Sequence, residues 1–144
     1  MASADMELHG AIVPRLKGYA PLTALIGNRV FDFVPVNTNG DVEAATFPYV
    51  TIGESQTLAD DATCVTGEQV YMTLHAWSRE KARPEARQIA GEVRAALHRH
   101  EMALPTWRLV SLHHQNTRVF RDIDNITSHA VIEFVASVER IAQP

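Results

Sequence analysis

Gly67-Glu-Gln-Val-Tyr-Met-Thr-Leu-His-Ala-Trp-Ser78 is the stretch that decides the fold. Val70, Met72, Leu74 and Ala76 alternate with Gln69, Tyr71, Thr73, His75 and Trp77, and a period of two puts the two sets on opposite faces of a β-strand. The aliphatic row reads as a core face. A second alternating stretch lies just upstream, where Tyr49, Thr51, Gly53 and Ser55 oppose Val50, Ile52, Glu54 and Gln56. Between the two, 58–66 is too long for a tight hairpin turn, so this acidic segment with Asp60 and Asp61 is expected to project from the sheet.

Downstream of Ser78 the period lengthens. Ile89, Val93 and Leu97, with Ala86, Ala90 and Ala96 beside them, predict a helix over about Arg83 to His100 whose small alanines suit close packing onto a sheet. Trp107–His113 and Thr127–Val138 then read as two strands, joined through Val119–Asn125 in a manner compatible with an antiparallel hairpin. Upstream, Leu8, Ile12 and Leu16 predict a helix from about Asp5 to Lys17, supported at its start by Ser3, Asp5 and Glu7. Pro14 removes a donor and presses on the carbonyl of Gly10, so a kink or break over Gly10–Pro14 is expected. Pro21–Gly27 reads as a short helical turn, Val30–Val34 as a short strand ended by Pro35, and 36–46 as a surface loop. The order α-β-β-β-α-β-β predicts a single α+β domain over residues 1–144, with two main helices on a largely antiparallel sheet of about five strands.

Composition narrows the function classes. At 144 residues, 46% apolar and 21% charged, the chain has the make-up of a globular domain with a real core. A formal charge of −4 argues against a dedicated nucleic-acid grip, although local basic patches remain open. The lone Cys64 excludes an internal disulfide. Neither a leader pattern nor an apolar run of membrane-spanning length is present, so the default expectation is a soluble cytoplasmic protein without membrane association.

No motif carries catalysis. His98 and His100 are two apart and diverge on a helix, and His113 and His114 point to opposite faces of a strand, so neither pair has metal-ligand spacing. Asp60-Asp61 and Asp122/Asp124 read as solvated loop acids, and Gly27 and Gly53 are too isolated to cradle a phosphate. No catalytic, cofactor or metal residue is assigned. Arg79, Lys81, Arg83, Arg87, Arg94 and Arg99 read as a solvated helix face or as a patch for an acidic neighbour or passing DNA, with Arg118 and Arg121 adding charge in the late loop. Tyr71, His75 and Trp77 share a strand face; they read as a second core layer under the later helix, or else as an interface where Tyr and Trp serve as anchors.

Taken together, Phe47-Pro-Tyr-Val-Thr-Ile-Gly-Glu54, Leu74-His-Ala-Trp-Ser-Arg79, Glu85-Ala-Arg-Gln-Ile-Ala90, Val93-Arg-Ala-Ala-Leu97 and Thr117-Arg-Val-Phe-Arg-Asp122, in that order, resemble the tail-completion or tail-terminator proteins of long-tailed phages and gene transfer agents. Ala24–Phe31 and Ser128–Val131 fit the same pattern, while Pro14 and the long 36–45 connection depart from it. The resemblance implies a structural, non-enzymatic protein without cofactors, assembled in the bacterial cytoplasm and located in the virion. It would form a homo-oligomeric ring, commonly a hexamer, at the head-proximal end of the tail tube, stop tube growth and join the tail to the head connector. DNA would pass through without specific binding. On that reading Asp60, Asp61 and Glu68 are candidates for a lumen or partner contact, and Tyr71, His75, Trp77, Arg118, Arg121 and Asp122 for the ring interface. Two rivals are another neck component, such as an adaptor or stopper, and a small histidine-dependent metal-binding protein or enzyme.

Overall fold

In the computed structural model, which describes residues 2–79 and 84–141, three helices pack on one face of a five-stranded sheet. The helices are α1 (Ala4–Lys17), α2 (Ala20–Ile26) and α3 (Pro84–Leu97). The strands are β1 (Val30–Phe31), β2 (Tyr49–Ala59), β3 (Gly67–Ser78), β4 (Trp107–Arg121) and β5 (Ser128–Arg140). They lie in the order β1-β2-β3-β5-β4. All neighbours are antiparallel except β1 and β2, so the sheet is mixed. The fold is α+β, as the element order predicts.

The aliphatic row of β3 is buried, and in register beside it lie Ala130, Ile132, Phe134 and Ala136 of β5. Onto this face α3 sets Ala86, Ile89, Ala90, Val93, Ala96 and Leu97, and α1 contributes Ala4, Leu8, Ile12 and Leu16 to the same core. Burial of such stripes supplies the main drive for folding, at about 25 cal/mol per Å² of apolar surface. The Ser3 hydroxyl caps α1 by accepting from the Met6 amide. The Glu7 carboxylate then accepts from the backbone amides of Thr106 and Trp107, tying the first helix to the start of β4.

Several expectations need correction. α1 runs unbroken through Pro14, because the carbonyl deprived of a donor belongs to Gly10, which is solvent-exposed and can bond to water. β1 stops at Phe31, well short of Val34. The 58–66 segment is a tight hairpin after all: β2 continues to Ala59, Ala62 and Val65 exchange backbone hydrogen bonds, and only Thr63 and Cys64 form the turn. β4 extends to Arg121, which puts Arg118 and Arg121 on a strand and leaves 122–127 as the β4–β5 connection. Glu68 is likewise a strand residue of β3, paired with Val138. No helix among the described residues is long and apolar enough to cross a membrane.

Candidate functional site

The sheet face opposite the helices carries the chemistry. Tyr71, Thr73, His75 and Trp77 point away from the helices, so the expectation of a second core layer beneath α3 fails: α3 lies on the other side of the sheet. Instead, register builds a cluster from four strands. Trp77 stands opposite Tyr49 on one side and His129 on the other, and His129 stands opposite Phe120 of β4. The Trp77 and His129 rings stack at 3.6 Å, and Tyr49 stacks on Trp77 at 6.2 Å. Phe120 closes over His129 at 4.9 Å.

Inside this cluster runs a line of polar contacts. His75 Nδ1 and His129 Nε2 are 2.7 Å apart, so one ring donates to the other. The far nitrogen of His75 lies 3.5 Å from the Glu54 carboxylate, and that of His129 lies 3.8 Å from Asp122. A bulge between Ile52 and Ser55 brings Glu54 into place. Gly53 makes the room: a Cβ there would sit 2.6 Å from His75 Nε2 and 3.0 Å from the Thr73 carbonyl oxygen. Burial pushes the His129 imidazole down to about 4, with the charges of His75 and Arg118 acting in the same direction. His129 is therefore neutral near pH 7. Burial, then the neighbouring Asp124, raises Asp122. Asp124 itself is held at about 2 by hydrogen bonds from Thr127 and Ile126.

At the end of the sheet the cluster opens into a cleft of about 520 Å³, walled by Phe47, Tyr49, Trp77, Arg79, Asp122 and Asp124. The Arg79 guanidinium lies 4.2 Å over the Phe47 ring and donates to the Thr127 hydroxyl. Arg79 thereby ties β3 to the start of β5. The imidazole nitrogens are turned toward each other and toward Glu54 and Asp122. Among the described residues no group of His, Cys, Asp and Glu could hold a metal ion. The arrangement suits recognition by a rigid amphipathic face.

The structure brings Tyr71, His75, Trp77 and Arg118 onto this one face, with Asp122 at its end. Arg121 occupies the helix-side face of β4 together with Val119 and Thr117, alternating with Arg118 and Phe120. Asp60 and Asp61 lie far along the hairpin, at its tip. Sequence reasoning missed His129 and Glu54. His129 belongs to the outward set of β5, which alternation alone could have shown, but its pairing with His75 and Trp77 depends on strand order. Of the predicted basic patch, Lys81 and Arg83 lie outside the described residues.

The fold is an α+β domain with its helices on one face of the sheet and the aromatic–histidine cluster on the other. Residues 10–139 match the family model described as Tail completion protein gp17, and the chain belongs to that family. It is thus a structural protein of phage-type tails and of the virion. A search of curated proteins finds no match. Among solved structures, a chain described as "Virion of native gene transfer agent (GTA) particle" superposes with a TM-score of 0.84 at 22% identity, over 96% of this chain and 99% of that one. At that identity the likeness speaks for the fold alone.

Proposed function

We propose that this protein completes the tail as a ring of identical subunits, commonly six, seated on the head-proximal end of the tail tube, where it stops tube growth and presents a surface to the head connector. The family match over residues 10–139 carries this reading. The sheet face opposite the helices supports it, since it offers Tyr71, Trp77 and Phe120 as anchors between charged residues and carries no helix among the described residues. The mechanism is steric and electrostatic matching: one side of the ring covers the last tube subunits, the other meets the connector, and the opening passes DNA without binding it specifically.

Electron microscopy of particles made without this protein tests the reading. Overlong or unjoined tails are the expected result. Tails of normal length with leaking heads would instead identify a stopper or adaptor, the rival neck component.

A further inference from the structure

We propose that the acidic spur at the β2–β3 turn inserts into a basic groove between α3 and β4 of a second copy of this chain. The inference rests on the ring reading and names the contact that closes the ring. It moves Asp60 and Asp61 from the lumen to a subunit boundary.

The spur is preorganised. It comprises residues 60–66, beyond the last β3–β5 pair at Gly67 and Glu139, and all of it is exposed. Ala62 and Val65 exchange two 3.0 Å backbone hydrogen bonds, and the Asp60 amide donates to the Gly67 carbonyl at 2.9 Å. The Asp61 carboxylate accepts from the Gly67 amide, and that of Asp60 from the Gln69 side chain. Gly67 is required, because a Cβ would lie 2.5 Å from the Asp60 carbonyl oxygen. Neither aspartate belongs to an ion pair among the described residues. Two carboxylates and the apolar Val65 are thus presented on a rigid turn at little entropic cost.

The groove has the opposite charge. Arg87, Gly91 and Arg94 are four and three residues apart and form one stripe of α3, facing His114, Thr117 and Val119 of β4 across a space of about 430 Å³. Gly91 leaves the floor open: nothing lies within 4 Å of where its Cβ would be. Neither Arg87 nor Arg94 belongs to an ion pair among the described residues. Burial, then the charge of Arg94, lowers the His114 imidazole that shares the groove.

Topology makes the two surfaces compatible with a ring. In the order β1-β2-β3-β5-β4, the spur joins the second and third strands, while the groove lies along the edge strand at the other side. Each copy can therefore give its spur to one neighbour and its groove to the other, the heterologous contact that rings need. β4 is bulged between Leu109 and Ser111 and between His114 and Asn116, which disfavours simple strand addition along that edge.

Cys64 is the only cysteine and lies in the spur turn, so it is a built-in probe. Wild-type protein is mixed with an isotopically labelled Cys64→Ser/Thr117→Cys variant and treated with a short bis-maleimide. The expected product is a mixed covalent dimer joining Cys64 of one copy to position 117 of the other. Asp60→Lys/Asp61→Lys in the first protein, or Arg87→Glu/Arg94→Glu in the second, reduces it by about tenfold or more through like-charge contact, and combining both reversed proteins restores it. Absence of the mixed dimer overturns the proposal, as does an unchanged yield on charge reversal. Tight, salt-dependent binding of a short DNA duplex that disappears in Arg87→Glu/Arg94→Glu, without the mixed dimer, assigns the groove to phosphates instead. Native mass spectrometry separates the two levels: rings without the cross-link leave the ring reading standing and sink the contact, whereas cross-linked open chains do the reverse.

Discussion

Acidification should weaken this protein through one buried imidazole, and the size of the effect follows from the packing around it. His129 is shielded by Trp77 at 3.6 Å and Phe120 at 4.9 Å, and bonded to His75 at 2.7 Å. Its pKa falls from 6.5 to about 4, first from burial, then from the positive charges of His75 and Arg118, with Glu54 opposing. A depressed histidine means that the unfolded chain binds a proton that the native state refuses. Stability is therefore lost as pH falls below about 6.5 and levels off below about 4. The full shift corresponds to about 3 kcal/mol, and about 2 kcal/mol of this is lost between pH 7 and pH 5. Urea unfolding at pH 7, 6 and 5 should show wild-type protein losing about 2 kcal/mol more than His129→Phe over that range. His98, His100 and His114 are also lowered by burial and add a common slope to both proteins, which the difference removes. NMR of the histidine Hε1 signals supplies the direct reading. A midpoint for His129 near 6.5, or parallel stability profiles for the two proteins, would refute the argument.

Gly53→Ala should cost about 1–3 kcal/mol by overpacking, because the new methyl group meets His75 Nε2 at 2.6 Å and the Thr73 carbonyl at 3.0 Å; urea titration reads the loss, and loss of the His75–His129 hydrogen bond should appear in the NMR titration. Phe134→Ala, at the centre of the helix-covered face, should cost about 3–5 kcal/mol through loss of buried area and a residual cavity, checked by the same titration. Ile123→Asp changes a fully exposed side chain in the β4–β5 turn, so stability should move by less than about 0.5 kcal/mol while incorporation into particles falls; unchanged incorporation would remove that turn from the assembly surface. Glu7→Gln should accelerate hydrogen exchange at the Thr106 and Trp107 amides ahead of the rest of β4, because a neutral amide oxygen accepts those bonds more weakly than a carboxylate.

Periodicity by itself determined the α+β class, the helices around Leu8–Leu16 and Ile89–Leu97, and the burial of Val70, Met72, Leu74 and Ala76, because side-chain spacing is a local property of helix and strand. Local patterns also marked the outward set Tyr71, His75 and Trp77. They could not say that α3 packs on the opposite face, since both faces of β3 look equally coverable until the path of α3 is known. The unbroken α1 was equally out of reach: the effect of Pro14 depends on whether the Gly10 carbonyl meets water or protein. Strand order and register belong to the tertiary structure alone. They insert β5 between β3 and β4, set His129 against Trp77, and with the bulge at Gly53 bring Glu54 to His75. Those contacts span tens of residues of chain. They follow from which core faces can be buried together, a condition on the whole fold that no short stretch of sequence carries.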